Sequence, residues 1–395
     1  MNALLKHRQS LHRPLFCSLI TQLARHSAAT PGHFYRLFYF HFEISRRILS
    51  PSGTTSAFTL LSLLLLPMTP PTTTTLSLAV LAGISLVTPA LAIVNITYVT
   101  VGNGGNANDT TGYGAVANTY KIAQNETTIS QYAEFLNKVA ATDTYSLYNA
   151  GMTTSYINGI TQSGSPGTFT YSVAPGSGNK PITFVSWFDA ARFTNWMHNG
   201  QLTGAQNAST TEDGAYTLNG AVSGVSVSKN VGATVWIPSE NEWYKAAYYD
   251  PNQGGAGVGG YWAQATQSNT VTGNTVGVAN SANYYDGDYV GYPGMALTDV
   301  GAYGLNSDSA YGTNDQAGNV WEWNDAVIGS SRGLRGGSWG NDSGDLPASF
   351  RSTYTPADQN ASLGFRVASV PETSAVLMTM LSASALLTRR RRPTL

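Results

Sequence analysis

The sequence predicts an α+β domain with little regular secondary structure, and three observations carry that expectation. Three helix starts are marked by capping boxes. Short apolar alternations of strand length lie around them. Long stretches rich in Gly, Ser, Thr and Asn, with no period, separate the two kinds of element.

A strand-like run from Ile93 to Val101 opens the body. Thr128 caps the first helix and Gln131, three residues on, completes the box. In that arrangement the cap hydroxyl takes the N3 amide while the N3 side chain reaches back to the cap amide. Ile129, Tyr132, Phe135, Leu136 and Val139 recur at helical spacing and make one apolar face. The second helix follows Ser186, with Asp189 as box partner and Gly200 suited to its C-terminal end. Trp187, Ala190, Ala191, Phe193, Thr194 and Met197 line it. Tyr216 to Leu218, Val225 to Val227 and Val235 to Ile237 read as short strands of a hairpin. The third helix follows Ser239, with Glu242 at the box position and Trp243, Ala246 and Ala247 facing inward. Segments 141–182 and 252–282 read as loops, and loops of that length in one domain tend to be functional.

A length of 395 residues allows two domains, but the ends differ from the middle in composition. Residues 1–50 hold seven Lys/Arg and five of the six histidines, and 389–392 are four arginines. Between 93 and 370 ten Lys/Arg face twenty Asp/Glu, a formal charge of 10 − 20 = −10. So acidic a body lacks the clustered cations that phosphate contacts need, which argues against nucleic acid as a partner.

The chain divides into a basic and apolar leader (1–67), a signal-peptide segment (68–92), the body (93–369) and a tail (370–395). Met68 offers a second start, followed by an apolar run that ends in Ala90-Leu91-Ala92. Small residues three and one before a cut form a secretory cleavage pattern, and an N-terminal anchor is the other reading of the same run. With a start at Met68, or a cut after Ala92, Cys17 is absent from the mature protein. Within 93–370 the only histidine is His198, so neither a three-histidine site nor a two-histidine facial triad can be built there.

Four motifs stand in fixed order. They are Ile237-Pro238-Ser239-Glu240-Asn241-Glu242-Trp243, Gly318-Asn319-Val320-Trp321-Glu322-Trp323, Arg335-Gly336-Gly337-Ser338-Trp339 and Leu363-Gly364-Phe365-Arg366. The set resembles the formylglycine-generating enzymes, or sulfatase-modifying factors, over about 120–368. That resemblance implies a C-type-lectin-like fold. It puts Ser338 at the family's active-site serine, the first catalytic cysteine at Asn341 and the second within 344–346. Cys17 is the only cysteine, so neither thiolate is present in the body. Thiolates are the soft ligands that hold cuprous copper, and an amide does not replace them. Copper-dependent oxidation is therefore not expected, and no catalytic residue is assigned. A Ser338–His198 hydrolase is not supported either, because no nucleophile-elbow pattern surrounds Ser338.

The resemblance further implies structural calcium. Asp315, the backbone at Gly318 and Val320, and Glu322 correspond to one site. Asn283 and Tyr284 match part of a second, beside Asp286 and Asp288, which also read as a simple turn. Arg335, Ser338, Trp339, Asn341 and Arg351 are the ligand-cleft candidates. Gly336 to Trp339 reads equally as a structural turn, and Arg366 is expected to pair with an internal carboxylate.

Val370-Pro371-Glu372-Thr373, an apolar run from Ala375 to Leu387 and Arg389–Arg392 resemble a PEP-CTERM sorting tail. This implies an exosortase-type partner, transient membrane association through the tail, and a place on or outside a Gram-negative envelope. An ordinary tail anchor is the other reading. The expected function is an exported ligand-binding protein for a glycan or peptide. A formylglycine-generating oxidase acting on exported sulfatases and a structural component of an exopolysaccharide matrix are the alternatives.

Overall fold

The three capping boxes form as the sequence predicts, and they fix where each helix begins. The computed structural model describes residues 93–290 and 296–371. The leader with Cys17, both N-terminal apolar segments and the sorting-tail features from Glu372 onward lie outside the described residues. Among the described residues no helix is long and apolar enough to cross a membrane.

Helix α1 spans Ile129–Val139, α2 Trp187–His198 and α3 Glu240–Tyr248. Thr128–Gln131, Ser186–Asp189 and Ser239–Glu242 each make both reciprocal cap bonds. The predicted face of α1 is buried in full, whereas Met197 near the end of α2 is only half-buried. Tyr132 and Phe135 of α1, Phe193 and Trp196 of α2, and Phe365 form one aromatic cluster with centroids 5.2–6.5 Å apart. Each such ring removed from water stabilises the fold by about 1.5–3 kcal/mol.

Strands β1 (Tyr98–Val101), β2 (Tyr120–Ala123), β5 (Val235–Trp236) and β12 (Ala368–Ser369) make one sheet in the order β1-β2-β12-β5. The start and the end of the described chain therefore meet in a single sheet. The second sheet, in the order β10-β9-β8-β11, joins Ser352–Tyr354, Ser331–Arg335, Trp321–Ile328 and Leu363–Gly364. Its β11 runs parallel to β8 and sets Gly364 opposite Glu322. Two small hairpins complete the strands: β3 (Ile160–Ser163) with β4 (Thr170–Val173), and β6 (Tyr249–Asp250) with β7 (Gly260–Tyr261).

Two expectations need correction. Segments 216–218 and 225–227 do not pair as strands of a hairpin; Tyr216 makes a single antiparallel bridge, to Lys229. The carbonyls of Val225 and Val227 accept from Arg332 Nη2 instead, at 3.4 and 2.5 Å, and Val235–Trp236 pairs with β12. Segment 252–282 contains β7, and segment 141–182 is not loop throughout either, because β3 and β4 lie within it. Only Ile160 and Tyr171 of that hairpin are buried, too few apolar positions to show a period. Its turn depends on Gly164, at φ +95°, where an added Cβ would come 2.6 Å from the Thr168 carbonyl oxygen.

Asp189 gives the fold a pH dependence. Its carboxylate Oδ2 accepts from Ser186 N, Ser186 Oγ and Gln359 Nε2 at 2.7–2.8 Å. Burial nevertheless outweighs these donors and pushes the group from 3.8 up to about 6. A raised carboxyl favours the protonated fold, so this contribution is complete below about pH 4 and is lost as pH rises through about 6. Relative to Asp189→Asn, the wild type should lose up to ~3 kcal/mol of stability between pH 4 and 7. Denaturant unfolding of both proteins across that range checks this, and a pH-independent difference refutes it.

Candidate functional site

Under the site lies an ion pair with no solvent exposure on either partner, Glu322 of β8 and Arg366 beyond β11. Arg366 Nε donates to Glu322 Oε2 at 2.6 Å and Nη2 to Oε1 at 2.7 Å. The remaining guanidinium donors reach the carbonyls of Ala123, Gln124 and Asn314 at 2.8–3.1 Å. Trp243 Nε1 of α3 also donates to Glu322 Oε2, at 2.7 Å. The expected pairing of Arg366 with an internal carboxylate is thus what the structure contains. Burial works against the guanidinium's charge, but Glu322, with Glu126 and Asp315 behind it, holds it above its ordinary range.

Beside the pair, Asn319 stands at φ +60° and Gly318 at φ +82°. A Cβ on Gly318 would come 2.3 Å from the Asn283 carbonyl oxygen, so this turn requires glycine. Asn319 Nδ2 donates to Glu126 Oε1 at 3.1 Å, and its Oδ1 accepts from Asn283 Nδ2 at 3.0 Å. Burial, then the neighbouring Asp315 charge, raises Glu126 well above the carboxylate range. Burial likewise lifts Asp315 to about 6, despite the Gly301 amide at 2.5 Å.

Of the calcium ligands that the resemblance implies, Glu322 is already engaged within the protein. Both its oxygens are taken by Arg366 and Trp243, whereas Glu126 Oε2, a carboxylate oxygen near Asp315, is buried with no partner. Among the described residues no group of three or more His, Cys, Asp or Glu side chains is placed to hold a metal. Asp315 remains buried with one oxygen on the Gly301 amide, and Gly318 N donates to Gly336 O. Val320 packs with Ile157 and Leu297. Asn283 is the one candidate with a feature suited to a cation, since its Oδ1 is buried with no donor facing it. Tyr284 is buried against α3, and burial and then Asp286 raise its hydroxyl.

The loop after β9 carries the cleft candidates. A Cβ on Gly337, at φ +75°, would lie 2.6 Å from Leu346 Cδ2, so the two stretches of loop can touch only through glycine. Ser338 is buried, and its Oγ donates to Asn341 Oδ1 at 2.5 Å. Asn341 Oδ1 also accepts from Trp321 Nε1 at 2.9 Å, while its Nδ2 donates to Asp345 Oδ2 at 2.6 Å. Burial and then Asp342 raise the Asp345 carboxyl. The Ser338 proton therefore points at an amide, which is no base. His198 belongs elsewhere: its Nδ1 lies 2.8 Å from Thr234 Oγ1 and accepts from Thr234 N at 3.1 Å.

Arg335 and Arg351 part from this group. Arg335 Nε and Nη2 both reach Glu240 Oε1, and its Nη1 takes the carbonyls of Ala348 and Phe350. It is 1% exposed, so its role as a ligand clamp is corrected to a structural one. Arg351 makes a bidentate pair with the same Glu240 and lies 5.2 Å over the Tyr113 ring. It stays partly exposed beside an open cleft of about 350 Å3 lined by Tyr113, Ser239, Glu240, Asn241 and Asp325.

Trp339 joins residues the sequence reading missed. Its Nε1 donates inward to the Ala361 carbonyl, and its ring meets Tyr156 at 6.0 Å and Tyr289 at 5.6 Å. Tyrosines set in aperiodic loops were the available signal. Glu240 was read only as a motif residue, yet it gathers two arginines.

The profile of the family described as "Sulfatase-modifying factor enzyme 1-like domain" matches residues 97–370. No curated protein matches the chain. Among solved structures, CarF is similar at 20% identity, covering 71% of this chain and 100% of that one, with a TM-score of 0.44. Treponema denticola variable protein 1 is similar at 19% identity over 71% and 97%, with a TM-score of 0.45. PvdO from Pseudomonas aeruginosa is similar at 17% identity over 70% and 92%, with a TM-score of 0.37.

Glu322→Gln should cost ~3–5 kcal/mol, because it leaves the Arg366 charge buried without its counter-charge. Since Glu322 is not free to bind a cation, a chelator should shift the melting temperatures of wild type and variant by equal amounts. Thermal melts with and without chelator decide this; sensitivity confined to the wild type would restore Glu322 as a ligand.

Proposed function

We propose, from the premise that this chain belongs to the sulfatase-modifying factor enzyme 1-like family, that its domain binds a ligand and does not oxidise one. A single observation carries the reading. At the position where the family resemblance expects the first cysteine stands Asn341, held by Ser338, Trp321 and Asp345 in three hydrogen bonds of 2.5–2.9 Å. A carboxamide neither cycles through oxidation states nor holds cuprous copper, and the same bonds keep Ser338 from acting as a nucleophile. Leu346, within the stretch expected to hold the second cysteine, is buried and contributes only a hydrocarbon chain.

What this scaffold retains suits recognition. Rigid motifs hold irregular loops in place, and binding residues concentrate on such loops. Trp339 and Asn341 present a ring beside a fixed polar group, and Arg351 borders the neighbouring cleft. The ligand class is a glycan or a peptide. The sequence of the two ends supports export and sorting of this domain to the outer envelope, with an exosortase-type enzyme processing the tail after Val370-Pro371-Glu372-Thr373.

Two measurements test the reading. Purified full-length protein incubated with a Cys-containing sulfatase-motif peptide, copper and oxygen should leave the peptide's mass unchanged. The mass loss of cysteine-to-formylglycine conversion would overturn the non-oxidising assignment. On glycan and peptide arrays the same protein should bind one of the two classes, about tenfold more weakly after Trp339→Ala. No binding to either class contradicts the proposal.

A further inference from the structure

Three separate loops bring four aromatic rings into one surface row. Tyr156 comes from the loop before β3, Tyr285 and Tyr289 from the loop after β7, and Trp339 from the loop after β9. Successive centroids are 6.0 Å (Tyr156–Trp339), 5.6 Å (Trp339–Tyr289) and 4.8 Å (Tyr289–Tyr285). The three tyrosines are each 39% exposed, although rings of this size normally bury themselves. The row is anchored from beneath. Trp339 packs on the cluster of Ile157, Leu297 and Val320 with its indole N–H turned inward to Ala361 O. Tyr285 N donates to the Asn341 carbonyl at 2.8 Å, which ties the tyrosine loop to the fixed amide. An exposed aromatic surface with so firm a base points to a ligand.

Charge narrows the choice. No Lys, Arg or His occurs from 251 to 331, and the acidic side chains on the loops bearing the rings are Asp286, Asp288, Asp299, Asp342 and Asp345. Lys180, which reaches these loops from outside, is engaged by Asp299 and the Leu297 carbonyl. The nearest arginine in sequence, Arg335, is spent on Glu240. An anionic ligand, such as a uronate or sulfated chain, would meet only like charge. A cation held in an aromatic cage needs rings standing apart around a space, whereas these lie against one another at 4.8–6.0 Å. What fits is a flat ligand with an apolar face, many hydroxyls at its edge and no charge. The pyranose ring has that form: its axial C–H face covers an aromatic ring while its hydroxyls reach the acids and amides alongside.

We propose that the Tyr156–Trp339–Tyr289–Tyr285 row is a stacking platform for a neutral oligosaccharide. This rests on the binding reading above and names its ligand class. Tyr289 and Tyr156 supply ring faces, Asn341 fixes the height of the Tyr285 loop, and the surrounding carboxylates accept sugar hydroxyls.

The test uses the purified full-length chain on an array of neutral, uronate and sulfated oligosaccharides, with a random peptide array and tetramethylammonium as further probes. The expected result is binding confined to neutral glycans. Tyr289→Ala and Tyr156→Ala should each weaken it by about tenfold, and Tyr289→Phe, which keeps the ring, by less than about threefold. Both positions are exposed, so unchanged melting temperatures in the three variants separate lost contact from lost fold. Preference for anionic glycans or for tetramethylammonium, or neutral binding that ignores both tyrosines, overturns the platform. Peptide binding without sugar binding overturns the sugar assignment and leaves the binding reading standing. No binding in either class overturns both.

Discussion

Arg366 reaches five acceptor atoms through three nitrogens, and those atoms belong to three separate stretches of the chain. Its bidentate partner Glu322 sits on β8, while Ala123 and Gln124 close β2 and Asn314 precedes the Gly318 turn. Through Trp243, Glu322 extends the link to α3. One buried guanidinium therefore joins both sheets, a helix and the turn that carries Asn319. The arrangement is costly to dismantle because each group released would remain buried without a partner. With the scaffold fixed in this way, loops that contain little regular structure can still hold their side chains in place.

The same scaffold carries no cysteine at the positions where the family resemblance expects two. Asn341 is bonded on both sides of its carboxamide, Leu346 fills space beside Gly337, and Ser338 gives its proton to an amide. Around Glu240 a second buried network takes up Arg335 and Arg351, so the cations that gather near the C-terminus balance internal carboxylates. A body with a formal charge of −10 thereby keeps four of its five arginines buried, with Arg351 partly exposed. The surface near Trp339 is left aromatic and acidic.

Much of this was legible in the sequence because it is local. A capping box needs only two residues three apart, and all three boxes form with the predicted partners. The ordered motifs gave the fold, and Arg366 pairs internally as expected. Long-range choices were less legible. Nothing near Val225 or Val227 says that Arg332, more than a hundred residues on, takes their carbonyls. Glu322 looks the same in sequence whether it faces a cation or a guanidinium. Tyr156 and Tyr289 lie far from the motifs, and only the folded loops bring them to Trp339.

A double-mutant cycle on Glu322 and Arg366 tests most directly whether this pair organises the domain. Stability is measured by denaturant unfolding for wild type, Glu322→Leu, Arg366→Met and the double variant. If the pair acts as one unit, the double variant loses less than the two single losses combined, by on the order of 3 kcal/mol. Additive losses, with no coupling between the two positions, would contradict the account.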